Sequence, residues 1–366
     1  RKENGRYRMW YQRERYGADL KGGMLSLYAE SEDGINWVKP VLNQYEDYNH
    51  SLENNIYLSR QALRSNNRAP TTVKQDIDPS VLYTPQLGNG KNYTLISYDY
   101  GRSGYSEYDG YFLAFSEDGI HWTDGPNDPV IPGHADFGWF TYDQYDRIFR
   151  GMVRQYLNVR GYHRRSVLWT ESKDAYNWTL PRVALIPDEK DDEWTEGREN
   201  YSTHCYCMPI FRYESMLLGF LAVYKNIGCS CHPADFNPDG TMDVQLVSSR
   251  DGRNWKRVGD RRTILERGAS GEWDWGFVRI GNSLVPDGDV IRAYYSGWNV
   301  KHGWFNKCGY MPLEGKKSGI GMATWPRDRF VGLRAGSGSG EIKLNQCQPG
   351  SELHVNADAS QGSLVA

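Results

Sequence analysis

The sequence has no stretch of about eighteen consecutive apolar residues that could cross a membrane as a helix. It has no block of Lys or Arg either, and 43 basic residues against 46 acidic ones leave a formal charge of −3. A nucleic-acid footprint is therefore excluded, and the expected partner is a neutral or mildly charged small molecule or glycan. Helical periodicity is almost absent. The Gly-rich runs at 315–321 and 336–340 lack the strand-to-helix setting of a phosphate loop, which excludes nucleotide binding. Cysteine is sparse, with six in 366 residues. No signal peptide is seen, because Arg1 opens directly into a polar run and then a strand at Tyr7 to Gln12. The sequence therefore reads as starting inside a structural unit.

Aromatic residues are abundant, 14% with 26 Tyr and 13 Trp, and together with 39 Gly they favour strands and tight turns. One seven-residue phrase organises the rest. It stands at Ser31-Glu32-Asp33-Gly34-Ile35-Asn36-Trp37 and returns from Ser116 to Trp122, from Ser172 to Trp178 and from Ser249 to Trp255. Each copy follows a short strand-like run, so each is a hairpin corner. Asp accepts backbone N–H groups two residues on, Gly supplies a positive φ, and Trp starts the return strand as an apolar plate. A degraded fifth copy spans Thr324 to Phe330, and the intervals are 85, 56, 77 and 75 residues. Uneven spacing around a constant corner predicts one β-unit repeated five times with loop insertions.

Five units follow along the chain. The first has strands at Tyr7 to Gln12 and Leu25 to Ala29, and its innermost strand is expected before Arg1. The second runs through Val81 to Thr84, Tyr93 to Tyr98 and Tyr111 to Phe115, the third from Ala135 through Ile148 to Tyr156 and Ser166 to Thr170. The fourth covers Met208 to Phe211, Leu217 to Tyr224 and Val244 to Ser248, and the fifth Trp273 to Ile280, Val290 to Tyr295 and Gly319 to Ala323. A flexible Gly-Ser joint follows Arg334, so the domains are expected at 1–334 and 335–366. The second would open with strands at Glu341 to Leu344 and Leu353 to Asn356.

Sequons at Asn49, Asn92, Asn177 and Asn200 and an even cysteine count suit a secreted, extracellular glycoprotein. The economical disulfide set joins Cys205 and Cys207 to Cys229 and Cys231, and Cys308 to Cys347. A four-thiolate zinc site helped by His204 or His232 is the rival. C-x-C spacing is less usual for zinc, so disulfides are favoured and neither metal nor cofactor is expected.

These corners resemble a shortened sialidase Asp-box. The whole run, with phrases such as Asp243 to Trp255, Ile291 to Ser296 and Arg329 to Gly336, is similar to the five-bladed β-propellers of glycoside hydrolase families 32 and 43, above all to family-32-like proteins. The resemblance implies an all-β chain: a five-bladed propeller whose first blade lacks its innermost strand, then the start of a C-terminal β-sandwich. It also implies an axial funnel where acidic residues from the first three blades share the acid and base roles. The first acid would precede Arg1.

Asp78 before Pro79 opens the second unit and reads either as the orienting acid of the funnel or as a turn cap. Asp136, opening the third unit, is the best placed second carboxylate, with a solvated loop Asp as the alternative. Glu199 would be the proton donor if a wall of Tyr and Trp raised its pKa, with Tyr201 beside it as a substrate-binding residue; the plainer reading of Glu199 is a surface Glu. Glu272, Asp274 and Trp275 suit sugar stacking and hydroxyl recognition, or packing between blades. His204 and His302 could line the mouth, although lone histidines are more often structural. The expected function is a secreted glycoside hydrolase-like protein hydrolysing or binding a glycan. The alternative is a non-catalytic extracellular glycan-binding or structural assembly module, with other extracellular proteins as partners.

Overall fold

The computed structural model describes all residues except 15–23, 48, 60–76, 88–89, 100–108, 134–135, 229–238, 304–314, 316, 334–337, 344–354, 356, 361, 364 and 366. Residues Arg1–Phe330 form one compact unit and Val331–Ala366 a second. The all-β expectation is met: helical turns among the described residues are short 3₁₀ segments such as Lys190–Thr195. No helix there is long and apolar enough to cross a membrane.

The first sheet orders β1 (Lys2–Glu3), β2 (Arg6–Glu14), β3 (Met24–Ser31) and β4 (Ile56–Leu58). The second runs β5 (Ile77–Tyr83), β6 (Tyr93–Asp99), β7 (Gly110–Ser116) and β8 (Trp122–Asp124), with β9 (Ile131–Pro132) also on β7. The third holds β10 (Gly138–Asp143), β11 (Ile148–Val159), β12 (Tyr162–Ser172) and β13 (Arg182–Leu185).

The fourth is composite. Its first antiparallel group contains β14 (Ser202–Cys207), β15 (Ile210–Tyr213), β16 (Met216–Asn226), β17 (Gly240–Ser249), β18 (Lys256–Arg257) and β19 (Thr263–Leu265). A single parallel pair, Met242 with Phe277, joins it to β20 (Phe277–Asp287), β21 (Val290–Trp298) and β22 (Ser318–Pro326).

In the first three sheets antiparallel pairing of strands that follow one another along the chain makes a meander. The corners show why. In the first, Asp33 Oδ1 accepts the N–H groups of Ile35 and Asn36 at 2.8 and 2.7 Å, while Oδ2 accepts the Asn36 amide at 2.7 Å. The Ser31 hydroxyl accepts the Gly34 N–H at 2.9 Å and donates to Asp33. The same carboxylate pattern recurs at Asp118, Asp174 and Asp251. Gly34, Gly119 and Gly252 take φ of +75°, +78° and +76°, and Ala175 is held at +68° in the third copy. That residue adopts a left-handed conformation that an L side chain disfavours.

Consecutive sheets stack face to face. Tyr28 and Tyr57 of the first meet Leu95 and Trp122 of the second. Ile96 and Leu113 of the second meet Phe140 and Phe149 of the third. Met152 and Val167 of the third meet Leu221 and Val247 of the fourth, and Phe220 and Leu246 then meet Val278 and Ala293. Each such buried Val, Leu, Ile, Phe or Met side chain contributes about 1.5–3 kcal/mol.

The last strands meet the first sheet differently. Arg292 donates to the Asp33 carbonyl at 2.6 Å, Tyr294 to the Gly34 carbonyl at 2.8 Å, and Lys2 to Asp287 at 2.7 Å. Across each of the other seams a side chain also reaches the next corner: Trp10 to the Gly119 carbonyl, Phe115 to Tyr176, Arg150 to the Asp251 carbonyl and Tyr213 to Asp328.

Two expectations change. Cys205 and Cys207 are free thiols, not halves of disulfides with Cys229 and Cys231. A bulge between them shifts the register on β16, so Cys205 packs among Met152, Val167 and Leu221, and Cys207 beside Trp139 and Tyr224. Burial pushes both thiols up to about 12. Cys229, Cys231, Cys308 and Cys347 lie outside the described residues. In the second unit, Glu341 to Lys343 form no strand, and Leu344 and Leu353–His354 lie outside the described residues. Ile342 is exposed there.

Candidate functional site

The strands β5, β10, β14 and β20 are the first of their groups, and their starts carry the unusual chemistry. Asp78 sits in β5 with φ +46°, where the register against β6 shifts, and its N–H donates to Gln12 Oε1 of β2 at 2.8 Å. A left-handed non-glycine residue before proline turns the carboxyl out of the regular pleat. Asp136 stands just before β10 and is ion-paired with Arg154 of β11. The arginine side chain is 5% exposed and the carboxylate 25%. Both carboxylates act on the buried Tyr111 hydroxyl, whose pKa burial pushes far up, so they share one neighbourhood.

Around them is a wall of cations and rings. The Arg154 guanidinium lies 4.4 Å from the Phe137 ring and 4.8 Å from Tyr206. Arg165 of β12 lies 5.1 Å from both Tyr156 and Tyr206, and 5.5 Å from Tyr224. Arg279 of β20 lies 5.1 Å from Phe137 and 5.0 Å from Trp298. The Tyr206 hydroxyl and His302 Nε2 are 2.7 Å apart, and His204 Nδ1 accepts the Arg165 N–H at 3.2 Å.

Burial, then the field of these arginines, holds both histidines well below the usual range, so both stay neutral. Burial disfavours the Arg154 charge, but the Asp136 carboxylate outweighs it and pushes the guanidinium pKa up. The floor is therefore buried and cationic, and Phe137, Tyr156, Arg279 and Trp298 form a half-exposed rim.

Glu199 is exposed in the turn before β14, and among the described residues no contact joins it to Asp78 or Asp136. Tyr201 stacks near Trp194 at 5.7 Å and under Arg198 at 5.4 Å. Asp274 is buried and accepts the Tyr295 hydroxyl at 2.9 Å; the Trp275 carbonyl accepts Arg267, and Glu272 is exposed. Trp273 stacks on Tyr295 at 5.8 Å.

All four sequon asparagines are exposed, although the amides of Asn92 and Asn177 already bind the Glu117 carbonyl and Asp174. An open cavity of about 460 Å³ lined by Gln86, Tyr142, Gln144 and Arg147 lies at the far ends of β5 and β10, away from Asp78 and Asp136.

The arginines and Tyr206 were not singled out from the sequence. The signal was alternation: Tyr206 falls between two buried cysteines, and Arg154 and Tyr156 share one face of β11.

No family model matches the chain, and no curated protein does. Solved structures do. An N-acetylgalactosamine deacetylase from F. plautii in complex with blood group B trisaccharide is 16% identical, with 87% of this chain and 85% of that one covered and a TM-score of 0.54. A thermostable family-43 glycoside hydrolase is 13% identical over 92% and 94%, TM-score 0.51. A glycosyl hydrolase from Bacteroides ovatus is 15% identical over 89% and 82%, TM-score 0.51. Likeness over nine-tenths of the chain at such low identity establishes the fold alone, a β-propeller of the type found in family 43 glycoside hydrolases.

Proposed function

We propose that this chain is a five-bladed, secreted glycoside hydrolase-like protein that binds a glycan over the strand starts and hydrolyses it. One observation carries the reading: Asp78 and Asp136, from neighbouring first strands, share the surroundings of Tyr111 beneath a rim of Phe137, Tyr156 and Trp298. Aromatic rims stack on sugar faces, and carboxylates below them work on the anomeric carbon. The five corner contacts, one across each seam and the last returning to Asp33, support five blades.

Asp136, ionised against Arg154, is the carboxylate assigned to activate water or stabilise the developing positive charge. Asp78 orients the sugar. Glu199 remains the assigned proton donor from the turn ahead of β14. The glycan-bound deacetylase and the glycosidases among the similar structures support the substrate class. Exposed sequon asparagines are compatible with a secreted glycoprotein, and extracellular assembly partners belong to the same proposal.

A second reading has its own observation. Asp136 is tied to a buried guanidinium while Glu199 stands apart, an arrangement suited to holding a glycan without cleaving it.

Screening turnover and binding on a glycan library decides between them. Hydrolysis is expected to fall about 10²- to 10⁴-fold in Asp136→Asn. Binding without turnover in the wild type selects the second reading. Unchanged turnover in Asp136→Asn or Glu199→Gln removes that residue from the mechanism.

A further inference from the structure

The turns at the far ends of the inner strands differ in length. The pairs β1–β2, β15–β16 and β20–β21 reverse with two residues each, Asn4-Gly5, Glu214-Ser215 and Gly288-Asp289. Two residues are enough to join antiparallel neighbours. The turns from β5 to β6 and from β10 to β11 are longer, spanning 84–92 and 144–147, and residues of these two line the open cavity of about 460 Å³. That volume falls within the range of small-molecule pockets, about 300–1,000 Å³.

The added residues are locked in place. Asp143 accepts the Tyr145 and Asp146 N–H groups at 3.1 and 3.3 Å and is bound by Arg150 and Arg212, while Asp146 accepts the same two guanidinium groups at 2.5 and 2.6 Å. On the other rim the Leu87 N–H donates to the Thr84 carbonyl at 3.1 Å, and the Leu87 side chain packs against the apolar core. Both rims are therefore preorganised, which lowers the entropy lost when a ligand binds.

Locking uses the acids and spares their neighbours. The amides of Gln86 and Gln144 and the Arg147 guanidinium line the cavity and make no hydrogen bond or ion pair among the described residues. Tyr142, the fourth lining residue, has its ring anchored 4.8 Å from Phe149. Tyr145, on the same turn, is 80% exposed with the Arg212 guanidinium 5.3 Å from its ring. Asp143, Asp146 and Glu171 are paired with Arg150, Arg212 and Arg253, so Arg147 is left as a single solvated charge. Solvent screens such a charge, and recognition falls to the amides and rings.

We propose that this cavity is a second glycan-binding site, separate from the strand-start funnel, and that it takes a short neutral oligosaccharide. A primary amide carries a donor and an acceptor side by side, which fits two neighbouring sugar hydroxyls, and a tyrosine ring covers an apolar sugar face. Asp136 precedes Gly138 and Tyr142 lies near the other end of β10, roughly 15–20 Å away at the rise of a strand. The fully buried Phe140 stands between them, so one small sugar cannot occupy both places. The site holds the protein on a glycan whether or not the funnel cleaves.

Titration of the full chain with neutral di- and trisaccharides of hexoses and pentoses, followed by ligand-observed NMR, tests this. Gln86→Ala combined with Gln144→Ala is expected to weaken binding about 5- to 25-fold, one to two lost hydrogen bonds. Because those amides bond nothing within the described chain, thermal unfolding should be unchanged. Tyr142→Leu, which removes the ring, is expected to weaken binding as well. Asp136→Asn and Asp78→Asn, both in the funnel, should leave this affinity as it is.

Binding abolished by the funnel variants but untouched by the double amide variant overturns the second site and leaves the functional reading intact. A preference for acidic over neutral saccharides at the cavity overturns the neutral class. Binding that weakens in the amide variant alone supports the site even if the funnel shows no turnover. Failure of every saccharide to bind overturns the site and the functional reading together.

Discussion

The corners and the strand starts use the same polar vocabulary in opposite ways. At a corner the Asp carboxylate is near the surface and its acceptor capacity is filled by its own turn, so the unit is complete in seven residues. At the strand starts the polar groups are buried, come from residues tens to hundreds of positions apart, and are only partly filled by one another. Self-sufficient polar groups make a scaffold that can be copied. Groups dependent on one another make a place where a ligand can enter the accounting.

The sharpest way to break the contrast is to remove a carboxylate at the strand starts. Asp136→Ala leaves the Arg154 charge buried without its partner, and a loss of about 3–5 kcal/mol is expected in urea unfolding. A loss below about 1 kcal/mol, the range of exposed pairs, would place that ion pair in solvent and dissolve the distinction.

The corner responds to its backbone more than to its charge. A Cβ at Gly34 would meet Tyr294 Oη at 2.7 Å and Arg292 Nη1 at 2.8 Å while the residue is held at φ +75°. Gly34→Ala is expected to cost about 2 kcal/mol, mostly left-handed strain with some loss of the Arg292 and Tyr294 bonds.

Acid separates the two regions by pH. His204 and His302 have folded pKa values far below 6.5, so the unfolded chain binds their protons first and stability declines as pH falls through 6.5. At the corners the sign is that of a depressed carboxylate. Burial would raise Asp174, yet the Asn177 N–H and side-chain amide and the Tyr176 N–H hold it at about 2. Its stabilisation is complete above 3.8 and is lost as pH falls toward 2. Chemical denaturation between pH 8 and 2 should show both declines, with His302→Asn flattening the upper and Asp174→Asn the lower. A single decline confined to the acid end would mean that the histidines are solvated.

The smallest effect belongs to the third corner. Ala175→Gly relieves about 1 kcal/mol of strain but removes a methyl packed with Phe140 and Phe149. The two nearly cancel, so a shift within about 0.5 kcal/mol is expected; a large gain would show that the methyl contributes little.

This contrast also explains what could be read from the sequence. A corner states its whole hydrogen-bond pattern in adjacent residues, so Ser31 to Trp37 and its copies announced the meander and the propeller. Asp78 and Asp136 could be placed because they precede predicted first strands. Arg154, Arg165 and Arg279 could not, because an arginine in a strand looks solvent-facing until the sheets from neighbouring units enclose it. The expected pairing of Cys205 and Cys207 with Cys229 and Cys231 failed for a similar reason: counting cysteines says nothing about a bulge that sends Cys205 and Cys207 into separate apolar clusters.

The polar seam between Arg292 and the Asp33 carbonyl bears on how the chain matures. Residues 259 positions apart must meet there, so a ribosome has released nearly the whole of Arg1–Phe330 before the earliest corner gains its last neighbour. Until then the opening sheet waits with one flank uncovered, which makes that flank the natural substrate for a chaperone and the junction a natural place to cut and rejoin the chain by circular permutation.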